Sequence, residues 1–174
     1  ETAINSNTAA VAYVYGPRQS GALCLPEVVK IAHSKEVPVI VDASAMLPPP
    51  ENLHKFIDEG ADLVSFSGGK GLLGPQSTGI LCGKSELIQA AYANSAPNSS
   101  GVARAAKVCK EEIAGLITAL KLFVETDHRL VADDWKNKSL YLVDTLGLIE
   151  GLKVELIEAD YEARDSRLNF ASAK

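Results

Sequence analysis

Val37-Pro38-Val39-Ile40-Val41-Asp42 is a short, almost uninterrupted apolar run that stops abruptly at an acid. A run of this length, rich in β-branched residues, predicts a strand buried on both faces, ending at Val41. Working outward, Leu25 to Glu36 predicts a helix. Pro26 suits its first turn, and Leu25, Val28, Val29 and Ala32 form one apolar stripe. Further upstream, Ala10 to Tyr15 predicts another buried strand, ended by Gly16-Pro17. Downstream, Glu51 to Glu59 predicts a short helix with Gly60 as its C-cap, and Leu63 to Phe66 a third strand. Gly79 to Cys82 predicts a fourth strand and Lys84 to Ala93 a helix. Strands alternating with helices predict α/β architecture with a mainly parallel, covered sheet. Ligands of such sheets sit beyond the strand C-termini, so the loops opening at Gly16, Asp42 and Ser67 become the candidates.

Asn94 to Val102 is polar and turn-rich, and two helices are expected after it, over Lys110 to Glu125 and Asp133 to Leu146. Lys153 to Ile157 alternates like an exposed strand, and Arg167 to Phe170 is a further strand candidate. The composition shifts near Val131. The expected division is residues 1–130 as one domain, with 131–174 a linker helix and the start of a smaller one. The chain opens directly on a strand approach and ends just after an apparent strand, so a longer native protein is expected.

The 174 residues are 47% apolar and 22% charged, an ordinary globular composition. The net charge of −5 makes nucleic acid a poor default partner. No apolar run approaches the roughly 20 residues that span a bilayer, and Glu1-Thr2-Ala3-Ile4-Asn5 has no signal-peptide pattern. Cys24, Cys82 and Cys109, odd in number and widely spaced, are expected to be buried free thiols in a reducing cytoplasm. His33, His54 and His128 lack metal-ligand spacing and are expected at the surface or partly packed.

The chemistry concentrates in Ser65-Phe66-Ser67-Gly68-Gly69-Lys70-Gly71-Leu72-Leu73-Gly74-Pro75-Gln76-Ser77-Thr78-Gly79, which follows a strand and holds five glycines and one lysine. Glycine-dense backbone can approach a phosphate closely. A lysine at a strand's C-terminal end can form a Schiff base with an aldehyde when its surroundings lower its pKa. A plain surface turn with a solvated lysine fits the composition as well. Asp42, 28 residues earlier, stands at the lip of a buried strand, where a carboxylate needs a cation or a capping role. The protonated pyridine nitrogen of pyridoxal 5'-phosphate is such a cation, and the pair would keep the ring an electron sink.

At these residues the sequence resembles the fold-type I pyridoxal-phosphate enzymes of the selenocysteine synthase (L-seryl-tRNA(Sec) selenium transferase) family, and within it the ammonia-lyase branch typified by D-glucosaminate-6-phosphate ammonia-lyase. The resemblance runs from about Thr8 to Glu125. It is carried by Val41-Asp42-Ala43-Ser44-Ala45, Leu47-Pro48-Pro49-Pro50-Glu51-Asn52-Leu53, Gly60 through Lys70, and Gly74-Pro75-Gln76. Lys107-Val108 and Lys110-Glu111-Glu112-Ile113 are similar to the family's start of the long helix. The resemblance implies an aspartate aminotransferase-like large domain, of which 1–130 is the second half, followed by the start of a small α+β domain. It implies Lys70 as the internal-aldimine lysine, Asp42 as the pyridinium partner, and Ser67 and Ser44 as further cofactor contacts. Met46 departs from the glutamine usual in that branch. The family's first half, with phosphate-binding glycines and the group that stacks on the ring, lies outside this sequence, so residues 1–174 alone are expected to bind the cofactor weakly and catalyse nothing. A homo-oligomer, at least a dimer, is also implied.

Three functions follow from the resemblance. The leading one is a lyase that eliminates and deaminates an amino acid or amino-sugar acid. The second is selenium transfer to seryl-tRNA, and the third a non-catalytic unit for oligomerisation or partner binding. Arg104 and Lys107 read either as a solvated basic face or as contacts to a substrate carboxylate or phosphate, with Arg167 a weaker candidate. Gly79-Ile80-Leu81-Cys82-Gly83-Lys84-Ser85 has three residues between its glycines where a P-loop needs four, which counts against a nucleotide site.

Overall fold

The structure, a computed structural model, describes residues 3–16, 22–158 and 171–173. The chain divides into two compact units, Glu1–Val124 and Glu125–Lys174.

In the first unit, strands β1 (Val11–Val14), β2 (Val39–Asp42), β3 (Leu63–Ser67) and β4 (Gly79–Gly83) lie side by side in that order. The first three are parallel, joined by helices α1 (Leu25–His33) and α2 (Asn52–Asp58). Tyr13 lies opposite Val41, and Val41 opposite Val64. The β2 residues Val39 and Val41 and the β3 residue Val64 are fully buried, as a continuous apolar run requires. Tyr15, Phe56 and Phe66 pack in sequence as tilted rings, with centroids 4.7 and 6.0 Å apart. Leu25, Val29 and Ala32 of the α1 stripe are buried, and Val28 is half-buried.

In this unit two expectations about burial are corrected. β1 is not buried: it is the sheet edge, and Val14 is 76% exposed. An apolar run reports the tendency to pair, not the number of neighbours that cover it. β4 runs antiparallel to β3, so the sheet is mixed and mainly parallel, as expected. The cysteines are not buried, for Cys24 and Cys82 are half-exposed and Cys109 is exposed.

Gly60 ends α2 with φ +100°; its amide donates to Ile57 O (2.9 Å) and the Ala61 amide to Phe56 O (3.0 Å). This double bond pattern needs a left-handed residue, which glycine adopts without steric cost. Helix α3 (Ser85–Ala93) follows β4, and α4 (Lys110–Glu125) follows the turn-rich stretch.

The second unit packs helix α5 (His128–Leu146) on a two-stranded antiparallel pair, β5 (Leu156–Glu158) and β6 (Ala171–Ala173). α5 starts at His128 rather than Asp133. Asp127 is its N-cap, accepting the Arg129 amide at 3.0 Å. His128, in the first turn, is buried rather than superficial. Arg167 and the strand candidate at 167–170 lie outside the described residues, as does most of the Gly16–Gly21 loop. Among the described residues no helix is long and apolar enough to cross a membrane.

Candidate active site

The parallel register brings Val14, Asp42 and Ser65 level at the C-terminal edge of the sheet. The Tyr15 amide bonds to Asp42 O and the Ala43 amide to Ser65 O, at 2.9 and 3.0 Å, so the chain leaves β2 and β3 at one edge. Because β4 is antiparallel, the connection 68–78 begins and ends there too, closed by the Gly68 amide on Thr78 O at 2.9 Å.

Lys70 and Asp42 are thereby brought together through Ser44. The Lys70 ammonium donates to Ser44 Oγ at 3.1 Å, and the Ser44 amide donates to Asp42 Oδ1 at 2.9 Å. Asp42 is exposed, so burial does not compel it to find a cation. Its carboxyl is nevertheless held below the usual carboxylate range, by the Ser44 amide first, then the Ser44 side chain, with a smaller contribution from the Lys70 charge. Asp42 is therefore ionised at neutral pH.

The turn after Asp42 is fixed from below. The buried Asn52 side chain donates to Met46 O at 2.7 Å, and the Met46 amide donates to Ala43 O at 3.0 Å. Met46 itself is a core residue, 5% exposed. Asn52 carries no sequence signal that separates it from an ordinary helix-start residue, so its role emerges only from the fold.

The lysine loop differs from the open phosphate cradle its glycines predict. The Gly74 amide donates to Gly68 O (2.8 Å), the Leu73 amide to Lys70 O (2.9 Å), and Gln76 Nε2 to Gly69 O (3.0 Å). The loop folds on itself. At Gly71 a Cβ would collide with the Leu47 carbonyl, so this glycine serves close approach between the Lys70 and Asp42 loops. Ser67, at the end of β3, is half-buried, and its hydroxyl has no hydrogen-bond partner among the described residues. Arg104 is half-buried and Lys107 exposed, and no side-chain bond ties either to the Lys70–Ser44–Asp42 group.

Asp62 forms a second charged group at the opposite edge of the sheet. Its carboxylate takes the Val39 amide (2.6 Å), His33 Nε2 (2.8 Å) and Lys84 Nζ (2.6 Å). Lys84 is thus committed far from the candidate site. Among the described residues no group of three or more His, Cys, Asp or Glu side chains could hold a metal ion.

The donor set fits pyridoxal phosphate: a primary amine for the aldehyde, an ionised carboxylate for the ring nitrogen and an unengaged hydroxyl at the same sheet edge. Comparison with known proteins agrees. Residues 1–133 match the profile of the family described as SelA, L-seryl-tRNA selenium transferase. The chain is 33% identical to D-glucosaminate-6-phosphate ammonia lyase of Salmonella typhimurium, over 94% of this chain and 41% of that protein. It is 32% identical to 5'-C-glycyluridine monooxygenase-decarboxylase of a Streptomyces species, over 91% and 38%. A solved structure of D-glucosaminate-6-phosphate ammonia-lyase superposes with a TM-score of 0.73 at 30% identity, covering 99% of this chain and 43% of that one. The chain therefore spans about two fifths of the length of these relatives. With the family profile covering most of its length, this chain belongs to the L-seryl-tRNA selenium transferase family, whose selenium transferases and D-glucosaminate-6-phosphate ammonia lyase depend on pyridoxal phosphate.

Proposed function

We propose that the protein containing this chain is a pyridoxal-phosphate-dependent lyase that eliminates a β-substituent from an amino acid or amino-sugar acid and releases ammonia and a keto acid. The observation that carries this reading is the Lys70–Ser44–Asp42 group at the sheet edge. Pyridoxal phosphate, when bound, supplies an aldehyde that captures amines and a ring that stabilises a carbanion. Lys70 would hold it, and the Lys70 Nζ would accept the Cα proton of the substrate. Ser44 Oγ holds that nitrogen in place. Asp42 stays ionised and keeps the ring nitrogen protonated. Ser67 is a phosphate contact, and Arg104 and Lys107 are candidates for a substrate carboxylate or phosphate. Residues 1–130 form the second half of the cofactor-binding domain, and 131–174 the linker helix and start of the small one. The lyase reading follows the likeness to an ammonia lyase in both sequence and fold.

The test is incubation of the complete protein with D-glucosaminate-6-phosphate and with β-substituted amino acids, measuring ammonia and keto acid. Selenium transfer to seryl-tRNA with no ammonia from any of these would overturn the reading. Asp42→Asn keeps the shape and removes the charge. Cofactor loading should survive, while substrate Cα–H exchange with solvent slows by about 10²-fold or more. An Asp42→Asn protein exchanging at the wild-type rate would exclude this role.

The protein is further proposed to be cytoplasmic and a homo-oligomer, at least a dimer. Light scattering of the complete, cofactor-loaded protein should give at least twice the protomer mass, whereas a fully active monomer would contradict the oligomer.

A further inference from the structure

Helix α4 presents one face to the lysine loop, built from Glu112, Gly115, Leu116 and Ala119, which are spaced as neighbours on a helix surface. The loop lies close on that face. A Cβ placed at Gly115 would stand 3.0 Å from Pro75 Cγ, and one at Gly74 would stand 3.3 Å from Ala119 Cβ. Leu116 is buried beneath the loop, its Cδ1 2.9 Å from where a Gly68 side chain would begin. Contact this close allows little sliding of loop against helix.

The polar end of the face is Glu112. Its Oε1 accepts the Ser77 hydroxyl, and its Oε2 accepts the Cys109 amide at 3.1 Å. One carboxylate thus joins the loop to the first turn of α4 and caps that turn. The Ser77 hydroxyl is the first cause, and the Cys109 amide the second, that keep this carboxyl below its ordinary range. Ser77 lies in the same connection as Lys70, which Gly68, Thr78 and Gly74 close into a compact loop.

We propose that Glu112 is a positioning residue for the lysine loop: by holding Ser77 against the start of α4, it sets the place from which Lys70 reaches the cofactor. This rests on Lys70 being the cofactor lysine. Glu112 touches neither Lys70 nor Asp42, and it acts through the loop alone.

The experiment compares Glu112→Ala, Glu112→Gln, Ser77→Ala and the double variant Glu112→Ala/Ser77→Ala in the complete protein. It measures cofactor dissociation constants by visible absorbance and the rate at which borohydride fixes the pyridoxyl group. Glu112→Ala and Ser77→Ala should each weaken cofactor binding about tenfold, the size expected for one charge-assisted hydrogen bond. The double variant should be no weaker than either single one, because both remove the same link. Glu112→Gln, whose amide oxygen still accepts from Ser77, should restore most of the affinity. Ser77→Ala keeps the cap on α4, so it reads the loop link even if Glu112→Ala fails to fold. Wild-type affinity in Ser77→Ala, additive losses in the double variant, or no recovery in Glu112→Gln would overturn the proposal. Peptide mapping of the wild type separates the two ideas. A label on Lys70 with unaffected variants removes only the role of Glu112, whereas a label elsewhere removes both.

Discussion

Borohydride reduction of the cofactor-loaded protein should place the pyridoxyl group on Lys70, and Lys70→Ala should abolish that label. The same substitution should lower turnover by at least about 10²–10⁴-fold, the usual contribution of a positioned acid–base group. The geometry makes the alternatives specific. Lys84 sits at the far edge of the sheet, 2.6 Å from the Asp62 carboxylate. Lys107 is exposed and precedes α4, with no link to Asp42 or Ser44. Among the described residues Lys70 alone of the lysines donates to Ser44, two residues from the carboxylate assigned to the ring nitrogen. Addition of a small primary amine to Lys70→Ala should restore part of the lost turnover, because an external amine replaces the missing proton acceptor. A label recovered from Lys84 or Lys107, or an active Lys70→Ala protein, would remove the assignment.

Asp62→Ala should destabilise the protein by about 1–3 kcal/mol, the range for leaving a buried backbone donor without its acceptor. The Asp62 side chain is 2% exposed, and it satisfies the amide that starts β2. Lys84 and His33 can turn to water, their side chains being 55% and 40% exposed. The Val39 amide cannot, so its desolvation accounts for much of the loss. The effect has a pH signature. Burial alone would raise the Asp62 carboxyl, but the bonds from Lys84, His33 and Val39 together hold it below its ordinary value of 3.8. A depressed folded value contributes stability that is present in full above 3.8 and fades as pH falls through the folded value. Urea unfolding of wild type and Asp62→Ala should therefore differ most near neutral pH and converge in acid. A gap that stays constant down to the acid limit would show that the carboxylate's charge is not what stabilises the fold.

Much of the first unit was legible because its signals are local. Val37 to Asp42 announces a buried strand by composition, Gly60 announces a helix end by the conformation only it adopts cheaply, and Pro26 marks a helix start. The strand ends then located the candidate site, since in a parallel sheet Gly16, Asp42 and Ser67 must open at one edge. The expectation that Lys70 and Asp42 serve one site rests on that placement together with the family resemblance.

What the tertiary structure alone decided depends on separations that no local pattern encodes. Asp62 meets Val39 across 23 residues and His33 across 29, and neither spacing is a helical or strand period. The reversal of β4 left no mark in Gly79 to Gly83, because an apolar strand reads the same in either direction. The exposure of β1 depends on whether a strand lies beyond it, which is a property of its neighbours. The glycines after Ser67 announced a close approach, but not to what. Only the fold shows that Gly71 meets the Leu47 carbonyl and Gly74 meets α4, while Ser44 carries the contact between Lys70 and Asp42. Residue type restricts which contacts are possible, and packing between distant segments selects those that form.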